Sequence, residues 1–131
     1  MLDYNTFFPY VKPRKEQRHA IEFAIKAIKD SDKRFVIIEA GTGVGKSAIG
    51  LTLSRYLEQA IPNQEGFQQG GYFLTTQKIL QAQYEKDFGA PRGDMKSIYS
   101  ASNYSCKFHK ENDCRTSQQM LRTADRKSAF F

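Results

Sequence analysis

Apolar positions recur at intervals of three and four between residues 14 and 29, where Ala20, Ile21, Ala24, Ile25 and Ile28 share one face. That spacing predicts an amphipathic helix. Pro13 suits its first turn, where a missing N–H is not needed, and Asp30-Ser31-Asp32 marks its end. The pattern then changes. Phe35-Val36-Ile37-Ile38 is a continuous, mostly β-branched run, so residues 34–39 read as a central parallel strand covered on both faces. Ile49, Leu53 and Leu57 return to a spacing of four and predict a second helix over residues 46–59. Gly71-Tyr72-Phe73-Leu74-Thr75 reads as a second strand and residues 77–88 as a third helix, broken by Gly89, Pro91 and Gly93. Residues 96–99 complete the set as a short third strand.

Helices alternating with strands predict an α/β fold, a parallel sheet flanked by helices. Beyond Ser100 the chain turns polar, rich in Ser, Asn, Lys and Arg, and holds both cysteines. Residues 1–100 are therefore expected to form the α/β part, and residues 101–131 the start of an insertion. No internal repeat or long low-complexity stretch interrupts them.

Composition narrows the picture further. At 131 residues, 40% hydrophobic and 26% charged, the chain has the make-up of one globular domain or a piece of one, not of a disordered segment. No apolar run approaches the roughly 20 residues that a membrane helix needs. Met1-Leu2-Asp3-Tyr4-Asn5 lacks the pattern of an export signal, and the expected compartment is the cytoplasm. Two cysteines are too few for a disulfide scaffold. Residues 1–69 hold ten Lys and Arg against eight Asp and Glu; residues 70–131 hold ten against six. The basic bias of the second half is compatible with a polyanionic partner.

The segment with the clearest chemistry is Ala40-Gly41-Thr42-Gly43-Val44-Gly45-Lys46-Ser47, between the apolar run and the second helix. Glycines let backbone N–H groups approach phosphate oxygens closely. A helix starting at Lys46 adds the positive end of its dipole. The Lys46 ammonium would reach the β- and γ-phosphates of ATP, and the Ser47 hydroxyl would ligate Mg²⁺. The general pattern G-x-x-x-x-G-K-[ST] has glycine where this chain has Ala40. The form A-x-x-G-x-G-K-[ST] resembles motif I of superfamily 2 helicases.

Three further segments carry candidate chemistry. Gln17 can donate and accept together, matching the edge of adenine, with Arg14 one turn earlier to stack or support it; a solvated first turn is the plainer reading. Thr75 and Thr76 end a strand at the edge where open α/β sheets bind ligands, and either can contact a nucleic-acid phosphate or merely cap a helix. Cys106, His109 and Cys114 form C-x-x-H-x-x-x-x-C. That set is one short of the four ligands of a structural zinc site, and two cysteines are half of what a 4Fe–4S cluster takes.

Together, Arg14-x-x-Gln17, Ile38-Glu39-Ala40-Gly41-Thr42-Gly43-Val44-Gly45-Lys46-Ser47, Thr75-x-x-x-x-Leu80-x-x-Gln83 and Asn103-Tyr104-x-Cys106 resemble the N-terminal part of DinG/XPD-type DNA helicases, the iron–sulfur branch of superfamily 2. The resemblance implies the opening part of a RecA-like P-loop ATP-binding domain. It implies that Arg14, Gln17 and residues 41–47 serve ATP and Mg²⁺, and that Thr75 and Thr76 contact single-stranded or forked DNA. Cys106 would be the first cluster cysteine, with Cys114 as a second, the cluster forming if a longer chain supplies the rest.

The family's D-E-A-H-type motif II, second motor domain and arginine finger have no counterpart in these residues. The expectation is of an N-terminal portion of an ATP-dependent DNA helicase, missing its C-terminal portion, that binds nucleotide and hydrolyses it poorly or not at all. In the family, further strands pair beside the phosphate-loop strand, so this chain is expected to be marginally stable or to associate. A small nucleotide-binding or regulatory module without helicase activity is the alternative.

Overall fold

A computed structural model describes residues 2–31, 33–63, 65–66, 69–90 and 92–123. By its contacts the chain divides into two compact units, Met1–Leu74 and Thr75–Phe131.

The first unit is built on two fifteen-residue helices, α1 (Lys15–Lys29) and α2 (Lys46–Ala60). On α1, Gln17, Ile21 and Ala24 are buried at the four- and three-residue spacing of one helix face. On α2, Ala48, Ile49, Leu51, Thr52 and Tyr56 are buried. Phe8, Ile21, Ala48 and Ile49 form the core, with Tyr4, Ala20, Ile25, Ile38 and Leu53 packed around it. A short 3-10 turn, Tyr4–Phe7, starts from Asp3, whose carboxylate accepts from the Asn5 N–H at 2.9 Å. It brings Phe7 edge-on to Tyr56, with ring centroids 6.3 Å apart. The buried Thr52 hydroxyl finds its partner one turn back, donating to the Ala48 carbonyl at 2.7 Å.

The expected parallel sheet does not form among the described residues, where pairing is limited to one isolated antiparallel bridge, Ser105 with Asp113. Residues 34–40 and 71–75 take no ladder assignment, and neither do 96–99. The reason is partnership rather than local propensity, since a strand is completed only by a neighbour whose N–H and C=O groups match its own. The run at residues 35–38 keeps the alternation of a strand, yet it is covered on one face, not on both as its sequence predicts. Val36 and Ile38 are half-buried, while Phe35 and Ile37 are 87% and 91% exposed. The stretch at residues 72–74 behaves alike: Phe73 turns inward, while Tyr72 and Leu74 face solvent. Gly50 admits the Phe73 ring to α2, since a Cβ there would lie 3.4 Å from it.

The second unit contains α3 (Lys78–Tyr84), which widens into a π turn over Glu85–Gly89, and α4 (Cys114–Thr123). Tyr84 and Phe88 meet edge-on at 5.7 Å, and Gly89 packs closely against Met95. A 3-10 turn at Ala101–Asn103 is tied to α3 by the Lys78 ammonium, which donates to the Asn103 side-chain oxygen at 2.6 Å. Asp113 caps α4, its carboxylate accepting from the Thr116 N–H at 2.7 Å. That bond is the main reason its pKa lies below the usual carboxylate value. Among the described residues, no helix is long and apolar enough to cross a membrane.

Candidate functional site

The glycine loop joins the extended run to α2, and its backbone uses the freedom that glycine supplies. Gly43 and Gly45 have φ of 78° and 83°, in the left-handed region. Gly45 is the cap residue of α2, and its carbonyl accepts from the N–H groups of Ala48 and Ile49 at 3.0 and 3.3 Å. The N-terminus of α2 therefore lies at the loop, where the helix dipole favours an anion.

Lys46, the first residue of α2, folds its side chain back across this loop. Its ammonium donates to the carbonyls of Ala40 at 3.0 Å and Gly41 at 2.8 Å. Gly41, Thr42, Gly43, Gly45 and Lys46 are exposed, and Val44 and Ser47 half-buried. A cationic group and the N-terminus of α2 thus share one accessible rim. Ser47 lies in the first helical turn, the position from which a hydroxyl would hold a Mg²⁺ ion carried by a nucleotide.

Gln17 sits on the inner side of the loop. It is only 5% exposed, although a polar residue in a first helical turn reads as solvated in sequence. Its side-chain oxygen accepts from the Arg14 N–H at 2.9 Å, and its side-chain nitrogen donates to the Val44 carbonyl at 2.9 Å. Arg14 adds an exposed bond from its guanidinium to the Gly43 carbonyl at 3.3 Å. The structure therefore joins Arg14, Gln17 and residues 43–45 into one network. The signal that foretells the Gln17–Arg14 bond is the capping-box position, a Gln three residues into a helix reaching back to the cap N–H. Beside the loop opens a groove of roughly 690 Å³, whose lining includes His19, Phe23, Ile37, Ala40, Gly41 and Val44 but neither Arg14 nor Gln17.

In the second unit, the Thr75 hydroxyl accepts from the Gln77 N–H at a long 3.4 Å ahead of α3, and Thr76 is exposed. Cys106 and Cys114 lie on the two arms of the Ser105–Asp113 bridge, tied by bonds from the Cys106 N–H to the Asn112 carbonyl and from the Cys114 N–H to the Tyr104 carbonyl. The Ser117 hydroxyl and the N–H groups of His109 and Phe108 draw the Cys106 thiol below its ordinary pKa. The Cys114 thiol is directed at the Ser105 carbonyl, 3.7 Å away. Among the described residues, no three His, Cys, Asp or Glu side chains gather as a metal site. The two thiols are half of the four ligands that a 4Fe–4S cluster takes, and no such cluster is shown.

The family model described as type III restriction enzyme, res subunit, matches residues 10–129. No curated protein and no solved structure matches the chain.

Proposed function

Because the chain belongs to the type III restriction enzyme res subunit family, a superfamily 2 helicase-like family, we propose that it binds a Mg²⁺–nucleoside triphosphate, ATP above all, at Gly41–Ser47. The observation that carries this reading is the Lys46 ammonium lying across the exposed glycine loop at the start of α2. It holds two carbonyls that a phosphate can replace with charge-assisted bonds. Thr42, Gly43, Val44 and Gly45 supply the backbone cradle, and Arg14 and Gln17 belong to the site through their bonds to that cradle. Mg²⁺ would neutralise charge on the β- and γ-phosphates when bound, with Ser47 as the ligand from this chain.

The wider reading is a helicase-type motor in which nucleotide binding answers to DNA. Thr75 and Thr76 are its proposed DNA contacts, and the basic second half of the chain supports a polyanionic partner. Within superfamily 2, the resemblance of the run Glu39-Ala40-Gly41-Thr42-Gly43-Val44-Gly45-Lys46 supports a DinG/XPD-type reading. Calorimetric titration of MgATP into the wild-type chain and into Lys46→Ala tests it. Binding lost in the variant supports the phosphate site, and DNA that shifts the MgATP affinity supports the motor reading. Tight binding that survives Lys46→Ala refutes the site. Binding indifferent to DNA favours a nucleotide-binding module instead.

A further inference from the structure

We propose that Cys106 and Cys114 form a redox-sensitive thiol pair, which a hydroperoxide converts into a reversible disulfide between the arm that follows Ser105 and the start of α4. Three observations carry it. Ser105 and Asp113 oppose each other in an antiparallel bridge, flanked by the bonds from the Cys106 N–H to the Asn112 carbonyl at 2.9 Å and from the Cys114 N–H to the Tyr104 carbonyl at 2.8 Å. Cys106 and Cys114 each follow one member of that pair, so alternation along the two arms puts them on one face of the bridge. The Cys114 sulfur lies 3.7 Å from the Ser105 carbonyl oxygen, which belongs to the peptide leading into Cys106. And the Cys106 sulfur accepts from the His109 N–H at 3.4 Å and faces the buried hydroxyl of Ser117, three residues after Cys114 on the same face of α4. Each sulfur is thus turned toward the element that carries the other.

Both thiols are half-buried, open to a small oxidant. Diagonal positions across an antiparallel bridge stand about 7–8 Å apart at Cα, against the roughly 4.4–6.8 Å that a disulfide spans. Closure therefore draws the two arms together by about 1 Å, a movement that the exposed Lys107, Phe108, Lys110 and Glu111 between them can follow. A disulfide closed under such strain is readily reduced again, which suits a switch rather than a structural staple.

The Cys106 sulfur, with two donors against it, is oxidised first. Its thiolate attacks one peroxide oxygen: the S–O bond forms, the O–O bond breaks and hydroxide leaves, so that sulfur is oxidised to a sulfenic acid and peroxide is reduced. The Cys114 thiolate then attacks the same sulfur. The S–S bond forms, the S–O bond breaks and a second hydroxide leaves. The two hydroxides take up the two thiol protons as water.

The experiment treats the whole chain with hydrogen peroxide, counts free thiols and maps linked peptides by mass spectrometry, before and after dithiothreitol. The expected result is loss of both thiols together, residues 106 and 114 linked within one chain, and full recovery on reduction. Cys114→Ser should stop at a sulfenic acid on Cys106, trapped by dimedone. Separate oxidation of the two wild-type cysteines to sulfinic acids, or linkage only between chains, would overturn the proposal. So would a Cys106 that resists peroxide in Cys114→Ser. Iron or zinc that accompanies the wild-type chain and keeps both thiols from peroxide would overturn it as well, by making them metal ligands instead.

Discussion

The side-chain nitrogen of Gln17 lies 2.5 Å from the point where a Cβ on residue 45 would stand, so the two positions are fitted to one another across α1 and the loop. Gly45 also has φ of 83°. A side chain at position 45 therefore meets two obstacles, one in its own backbone and one in its neighbour.

Gly45→Ala is expected to destabilise the first unit by at least ~1–2 kcal/mol, the strain of a left-handed residue carrying a Cβ. Displacement of Gln17 adds to that. Urea unfolding checks the figure, and a variant as stable as wild type would mean that loop and helix are not fitted in this way.

Lys46→Ala should leave stability almost unchanged, within about 0.5 kcal/mol, because the side chain is exposed and its two carbonyl partners can turn to water. Its affinity for tripolyphosphate should fall at least about tenfold, as expected when a charge-assisted contact is lost. Measured together, an unchanged melt with lost binding separates chemistry from folding.

Much of the first unit is readable in the sequence. The spacing of Ile21, Ala24 and Ile28 predicts a helix over residues 14–29, and α1 spans Lys15–Lys29. The spacing of Ile49, Leu53 and Leu57 predicts a helix over residues 46–59, and α2 spans Lys46–Ala60. The strands are readable only in part. The extended, β-branched character of residues 35–38 is written locally, but which faces are covered and which ladder forms depend on groups elsewhere, which no local pattern specifies. Leu51 and Tyr56 escape the four-residue spacing because α2 buries a broader face than Ile49, Leu53 and Leu57 define. Gln17 misleads because hydrogen-bond partners, not polarity, decide whether an amide can be buried.

The outward residues of the extended stretches, Phe35, Ile37, Tyr72 and Leu74, are 87–95% exposed. Open backbone edges flanked by such side chains promote association. Sedimentation over a concentration series should show self-association, and Ile37→Lys should shift the chain toward monomer with little change in stability. A wild type that stays monomeric throughout would contradict the expectation.

The cap of α4 gives a pH dependence with a defined sign. The Thr116 N–H holds the Asp113 carboxyl below its ordinary 3.8. Its stabilising contribution is therefore fully present above 3.8 and is lost as pH falls through the lowered value. Hydrogen exchange of the first α4 amides should accelerate several-fold in Asp113→Ala at neutral pH, whereas Asp113→Asn, which keeps an acceptor, should change less. Equal rates in wild type and Asp113→Ala would show that the cap does not hold the helix.

The Lys46 ammonium has a thermodynamic consequence beyond its place in the site. Because it already donates to Ala40 and Gly41, a phosphate arriving at the loop does not meet a bare cation; it exchanges one set of acceptors for another. The enthalpy of binding is then a small difference between two satisfied states, and the two carbonyls released to water partly offset the bond that forms. Affinity at such a loop is governed by how much better a charged acceptor is than a neutral one, which makes ionic strength, more than temperature, the variable to which it should respond most steeply.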